Sequence, residues 1–490
     1  MSISTSNVTS GFIDLATYDE IEKYLYGGKP DEVTAYFVKR TVKTTWFTQV
    51  PVILSRASGS PAFFQEWSVN ISRAGDYLLY TWLRVELPSV TLAPGNQFGV
   101  NGRLRWTPNL MHNLNREIVI TFNDLSAERI DHYFLDFWAA FTVPAGKRNG
   151  YNNMIGNIED LIQPTAPGVA IPAAVLNLPI PLFFTRDSGV ALPTAALPYN
   201  EMRINFQFRN WNDLLVLDNL AAAPGTNPST QPLVTDLVAE PVLRNAQVWA
   251  NYAIVGNDER KRMACAPRDI LMEQVQTAPM QSFTPATNPL QSFDIRFSHA
   301  IKALFFSVRN RTVFSEWSNY TAATPVPGPV FVDFTPSGAV DPISTVTLIY
   351  ENTQRLSIMG ADYFSLVNPY YHAPVIPLET GYHLYSYALD FYNLDPTGST
   401  NYGKLTNVSI IPSASQGAID GANGAGAAGS GADFPQLYEF IVVALNNNII
   451  RISGGALGKN NGIAENRKVL RGCGKPLKTN TVISTLSIRC

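Results

Sequence analysis

The chain has 490 residues, 46% of them apolar and only 15% charged, with a net charge of −3. That length supports two or three domains with full cores, and the small negative charge excludes a global basic field for nucleic acid. The charge fraction falls well below the usual quarter or so, which leaves two readings open: wide burial against other copies, or an all-β surface dressed in Asn, Thr and Ser.

The N-terminal MSISTSNVTSGF has neither a basic stretch nor an apolar core, so no signal peptide is expected. Residues 17–28 read as a short helix: Thr17 and Glu20 form a capping-box pair, Tyr18, Ile21 and Leu25 share a face, and Gly27-Gly28 end it. Strand patterns begin at 45–55 (TWFTQVPVILS) and continue through 67–84 and 116–122 (REIVITF). Residues 126–141 read as a second helix, with Ile130, Phe134, Phe137, Trp138 and Phe141 on one face. A Pro/Gly/Ala-rich loop is expected from about 142 to 182. Residues 165–185 are uncharged, but Pro167, Pro172, Pro179 and Pro181 argue against a membrane helix and for an extended, buried loop. Residues 201–208 alternate again as a strand.

The stretch 218–232, LDNLAAAPGTNPSTQ, is the expected interdomain boundary. Strand patterns restart at 242–255 and 269–277, and recur at 293–310, 346–350, 382–392, 404–411 and 438–445. A short helix is expected near 359–366, and loops at 312–343 and at the Gly/Ala-rich 417–432. Residues 67–84 (WSVNISRAGDYLLYTWLR) align without a gap on 293–310 (FDIRFSHAIKALFFSVRN), an offset of 226. The segment starting MRINFQF aligns on the one starting YEFIVVA at an offset of 236. About eight short strands per half with few helices predict an all-β double jelly roll, two eight-stranded antiparallel sandwiches in tandem. The expected divisions are an arm (1–35), a first jelly roll (36–217), a linker (218–240), a second jelly roll (241–464) and a basic tail (465–490).

Signals for chemistry are weak. GAGAAG at 424–429 matches GxGxxG, but Pro435 interrupts any following helix and no acid lies between Glu439 and Glu465. GCGKP at 472–476 lacks the first glycine and the Ser/Thr of a phosphate loop. His112, His132, His299, His372 and His383 form no HxH pair and have no carboxylate at ligand spacing, so each reads as structural. No catalytic residue, cofactor or metal is expected. The sequons at Asn7, Asn70, Asn310, Asn319 and Asn407 are read as chance matches in an Asn-rich chain. Cys265, Cys473 and Cys490 are too scattered for a disulfide framework and indicate a reducing compartment. Free thiols are expected, with cross-links through Cys473 or Cys490 as the alternative. The tail carries Arg467, Lys468, Arg471, Lys475, Lys478 and Arg489 against Glu465 alone, and reads as a solvated segment or a contact for a membrane or internal partner.

Six segments resemble one family as a set: TSGFIDLATYDEIEKYLYGG (9–28), QEWSVNISRAGDYLL (65–79), FLDFWAAFTVPAGK (134–147), GYNNMIGN (150–157), FFTRDSGVALPTAALPYNE (183–201) and DPTGSTNYGK (395–404). They look like the major capsid proteins of iridoviruses and ascoviruses, within the large nucleocytoplasmic DNA viruses, and most like those of insect iridoviruses. The Gly/Ala loop and the proline loops have no match in that pattern. The resemblance implies a homotrimer of double jelly rolls with a pseudo-hexagonal outline, tiling the outer shell of the virion after assembly in the host cytoplasm. It places 312–343 and 417–432 among outer loops, and the 17–28 helix and the tail on the inner face, near minor capsid proteins or the viral membrane. It supplies no catalytic residues. A jelly-roll glycan-binding module is the alternative, and its cue would be outer-loop aromatics such as Trp317 and Tyr320.

Overall fold

The computed structural model describes residues 4–265, 267–324, 340–424, 434–453 and 456–459. The chain forms two units, residues 1–46 and 47–490.

In the first unit, α1 spans Ser4–Ala16 and a single 3-10 turn spans Ile21–Tyr24, so the expected 17–28 helix is not formed. Thr17 closes α1 instead of capping a new helix: its N–H bonds the Ile13 carbonyl at 3.1 Å and its hydroxyl the Asp14 carbonyl at 3.3 Å. Glu22 takes the reach-back role, accepting the Asp19 N–H at 3.1 Å.

The second unit carries sixteen principal strands. Those of the first half are β1 (Phe47–Ile53), β2 (Glu66–Asn70), β3 (Tyr77–Leu87), β4 (Asn115–Phe122), β5 (Leu125–Asp131), β6 (Ala174–Ile180), β7 (Met202–Phe208) and β8 (Arg244–Val255). Those of the second half are β9 (Arg268–Thr277), β10 (Phe293–Asp294), β11 (Ala300–Asn310), β12 (Ile343–Tyr350), β13 (Thr353–Gly360), β14 (His383–Ser386), β15 (Val408–Ala414) and β16 (Tyr438–Ser453). The first half pairs them as β1-β8-β3-β6 and β2-β7-β4-β5, all antiparallel. The second half repeats both orders, as β9-β16-β11-β14 and β10-β15-β12-β13. The fold is a double jelly roll.

Pairing also corrects the expected divisions. β8, expected to open the second half, is the central strand between β1 and β3. The 218–232 segment is not a linker: Leu215–Asn219 pairs with both Gly102–Trp106 and Ser229–Thr230 in a small sheet of the first half. The first jelly roll therefore runs to Val255, and α2 (Asn257–Cys265) follows it. Of the expected second jelly roll, 460–464 lie outside the described residues, as does the tail 465–490.

The repeat is real, but its register differs from the sequence reading. Pairing across the sheets sets Val69 against Phe293 and Trp82 against Phe305, offsets of 224 and 223. The slip of two residues at Val69 keeps every side chain on its own face, so alternation cannot detect it. The slip of three at Trp82 exchanges faces, but β11 is buried on both and shows no alternation to betray it. The offset of 236 matched β7 to β16, whereas the counterpart of β7 is β15, which shares its strict in–out burial.

Three other elements depart from expectation. Residues 125–131 are strand because Asn123 and Asp124, at φ 49° and 64°, form the left-handed hairpin turn that pairs β5 with β4. The helix begins only at His132, as the 132–142 helix His132–Thr142, with Asp131 accepting the Phe134 N–H at 2.8 Å. The 142–182 loop contains the helices Ala145–Ile155 and Glu159–Ile162 and strand β6. β6 pairs only with β3, and this edge position tolerates Pro179. The expected 359–366 helix runs instead over 361–372, with a π turn at Tyr363–Val367 and an α turn at Asn368–His372. No helix among the described residues is long and apolar enough to cross a membrane.

Candidate functional site

The β9-β16-β11-β14 sheet is buried on both faces. Leu304, Phe306 and Val308 of β11 and Val442 of β16 face the core of the second jelly roll. Ala303, Phe305, Ile441, Val443 and Leu445 face the other way and join the core that includes the first jelly roll. The 132–142 helix covers this second face. Its helical stripe places Phe134, Phe137, Trp138 and Phe141 together. Phe137 stacks on Phe305 at 5.9 Å and 16°, Phe141 lies 5.6 Å from the same ring, and Trp138 meets Phe391 edge-on at 6.0 Å. Burying Phe305 and its helix partners contributes roughly 2–3 kcal/mol per ring.

Charged side chains cross this seam inside the apolar layer. Lys302, fully buried on β11, bonds Glu273 of β9 at 2.7 Å and the Asn393 carbonyl. Arg186 of the first half lies 3.2 Å from Glu273, off the hydrogen-bond line, with its guanidinium 3.5 Å above the Trp138 ring. Glu128 of β5 accepts the Phe183 N–H at 2.8 Å; burial, against the pull of Arg186, pushes its carboxyl up to about 8. A second group joins Arg105 to Asp218 at 2.9 Å and to Glu316 of the second half. Burial opposes the Arg105 charge, but the two carboxylates outweigh it and hold its pKa above the ordinary value. Burial raises the Glu316 carboxyl despite that contact.

Asp136 of the 132–142 helix organises a third group. Its carboxylate accepts from His112 Nδ1 at 2.6 Å, Ser318 Oγ at 2.7 Å and Tyr320 OH at 3.0 Å, while His112 Nε2 lies 2.7 Å from Tyr151 OH. Trp317 sits between two guanidiniums, Arg209 at 3.7 Å and Arg309 at 4.1 Å. Burial, reinforced by Arg209 and Arg309, holds the neighbouring His132 well below its usual value and therefore neutral. These contacts lock residues 315–324 of the second half onto the first.

Trp317 and Tyr320 are thus buried, not displayed on an outer loop, and the expected outer position is corrected for residues 315–324. Residues 325–339 lie outside the described residues, as do 425–433, which hold most of GAGAAG and half of the Gly/Ala loop. Gln416–Ala422 at the start of that loop is a helix with Ala418 buried. His383 bonds Asp341 at 2.7 Å and stacks on Phe306 at 5.2 Å, His372 bonds the Leu389 carbonyl at 2.9 Å, and His299 is exposed on a left-handed turn. The histidines are thus scattered through the fold. Asn310 and Asn319 are buried, and their side chains bond Gln436 and Ala323. Asn70 lies in β2, while Asn7 and Asn407 are exposed. Cys265 ends α2; Cys473, Cys490 and the GCGKP stretch lie outside the described residues. The buried ion pairs were missed by sequence reasoning, although charges set within apolar runs, as in KALFFSVR and AERIDHYFLDF, mark them.

Among the described residues, the corresponding sheet of the first half, β1-β8-β3-β6, is covered on one face only. Leu83, Val85 and Leu87 point into the core. On the other face Trp82 and Trp249 stack at 5.9 Å and 10°, with Tyr80 6.1 Å from Trp82. Ile53, Tyr80 and Val175 are exposed on the same sheet.

The chain matches two families end to end. Residues 35–255 match "Major capsid protein N-terminus" and residues 259–458 match "Large eukaryotic DNA virus major capsid protein". Their junction coincides with the end of β8. The major capsid protein of Invertebrate iridescent virus 6 is 66% identical, over 94% of this chain and 99% of its own length. That of Costelytra zealandica iridescent virus is 65% identical over the same shares, and that of Frog virus 3 is 46% identical over 93% and 99%. The fold is similar to the PBCV-1 capsid, with a TM-score of 0.68 and 21% identity over 87% of this chain and 99% of that one. It is also similar to the Faustovirus major capsid protein, with a TM-score of 0.62 and 11% identity over 86% and 94%. With its fold, its repeat and its relatives in agreement, this chain belongs to the major capsid proteins of the large eukaryotic DNA viruses, among those of the iridoviruses.

Proposed function

We propose that this shell protein works as a homotrimer with a pseudo-hexagonal outline, and that such trimers tile the icosahedral capsid. The identical strand order of the two halves carries this reading, because three copies then present six similar jelly rolls around one axis. A particle with six similar sides meets six neighbours in a hexagonal lattice. Charged residues make up only 15% of the chain, which suits many modest contacts with limited desolvation cost. The arm is the element we assign to the inner face, toward minor capsid proteins or the viral membrane: α1 exposes Val8, Phe12, Ile13 and Leu15. Assembly takes place in the host cytoplasm in this reading, consistent with the scattered cysteines. The glycan-binding alternative loses its cue, since Trp317 and Tyr320 are interior.

Analytical ultracentrifugation and negative-stain microscopy of the purified chain test the proposal. Three-fold particles with a hexagonal base are expected. A chain with native β circular dichroism that stays monomeric at micromolar concentration overturns it.

A further inference from the structure

The two halves place equivalent elements at equivalent positions, but among the described residues only one of two equivalent contacts is made within the chain. In β3 the pairing to β8 skips Leu79, and in β11 the pairing to β16 skips Lys302, so these are matching bulges. Counting from them, Trp82 occupies the position of Phe305. The partners across each sheet follow: Trp249 stands where Val443 stands, and Pro179 where Leu384 stands.

The helices correspond as well. The hairpin turn Asn123-Asp124 is repeated at Glu351-Asn352, again with positive φ at both residues. β5 leads directly into the 132–142 helix, and β13 directly into 361–372. Matching the helix starts sets Phe137, Trp138 and Phe141 against Leu366, Val367 and Tyr370. The first three cover Phe305 and its sheet. The second three are exposed among the described residues: Leu366 is 52% exposed, Val367 43% and Tyr370 69%. Among the described residues, an apolar helix face and an aromatic sheet face are thus both left open, and each is the counterpart of a member of the contact already made.

We infer that the 361–372 helix of one copy docks on the Trp82–Trp249 face of the next copy, repeating between chains the contact that joins the two halves within each. The occupant is a second copy of this chain because its open helix duplicates the one that fills the equivalent site. The contact is heterologous, joining different patches on the two partners, so it propagates around a ring. The inference rests on the trimer reading and assigns the surfaces that hold the trimer together.

Two experiments test it. Leu366→Asp with Tyr370→Asp alters only exposed side chains, so circular dichroism should match the wild type. The trimer should dissociate at a concentration at least about tenfold higher. Val100→Asp, on an unrelated exposed loop, should leave it unchanged. Separately, Trp82→Cys with Leu366→Cys, in a chain whose Cys265, Cys473 and Cys490 are serine, should yield covalent trimers with a short bismaleimide, and neither cysteine alone should do so. A wild-type trimer that is insensitive to the double aspartate variant and yields no cross-link overturns this interface while leaving the trimer standing. A monomeric wild type overturns both.

Discussion

At the scale of single residues, the seam depends on buried ionisable groups. Glu128 keeps its proton in the folded chain up to about pH 8, whereas an unfolded chain releases it near 4.5. A group with a raised folded pKa contributes stability that is complete below the unfolded value and is lost as pH rises through the folded one. Glu128→Gln should therefore raise the thermal midpoint more at about pH 8 than at about pH 5. Equal shifts at the two pH values, by circular dichroism, would count against the assignment. These groups were the least legible part of the sequence. Lys302 and Glu273 lie 29 residues apart and Arg105 and Glu316 lie 211 apart, and pattern within a strand says nothing about partners at such separations. What the sequence did show was a lysine and an arginine inside a run of apolar residues, an arrangement that burial makes costly unless each is paired.

At the scale of elements, equivalent positions have unequal energetic roles. Phe305→Ala opens a cavity beneath the 132–142 helix and should lower the unfolding free energy by about 3–5 kcal/mol, read from the urea midpoint. Leu366→Ala, at the position equivalent to Phe137, should change that of the dissociated chain by less than about 0.5 kcal/mol, because that side chain is 52% exposed within it. Comparable losses would show that the exposed helix is braced internally. Most strands were legible because alternation survives in half-buried sheets such as β7 and β15. β5 was misread as helix because Ile130, Phe134 and Phe137 satisfy a helical spacing across a strand–helix joint. Asn123-Asp124 was the available signal: two residues suited to positive φ, placed between apolar runs, mark a hairpin. Register was illegible for a different reason: the two-residue slip at Val69 leaves the pattern of faces unchanged, and β11, buried on both faces, has no alternation to read.

For the whole molecule, the core of the first jelly roll continues across the seam onto one face of the β9-β16-β11-β14 sheet, while the second jelly roll keeps a core of its own on the other face. The halves are joined by α2, where Arg260 grips Asp76 of the first half at 2.7 and 2.9 Å. Cleavage engineered into α2 should leave the halves co-eluting on gel filtration, and separate elution would show that the seam is weaker than its burial indicates. The second half expressed alone would expose Phe305, Ile441 and Val443. The double jelly roll was legible from the count of strands and the long-range echo. The division between the halves was not, because β8 returns to the first sheet only after a long excursion, and the Pro/Gly-rich 218–232 segment imitates a linker.

The unequal fates of Trp82 and Phe305 bear on how such a shell can change. In a ring of six identical polypeptides, any substitution strikes all six contacts at once, and a stronger contact is strengthened everywhere. In the proposed trimer the six would divide into two independent genetic sites. The three inside chains could then be made permanent, while the three between chains could be tuned for reversal, so that a wrongly placed subunit could leave the growing lattice.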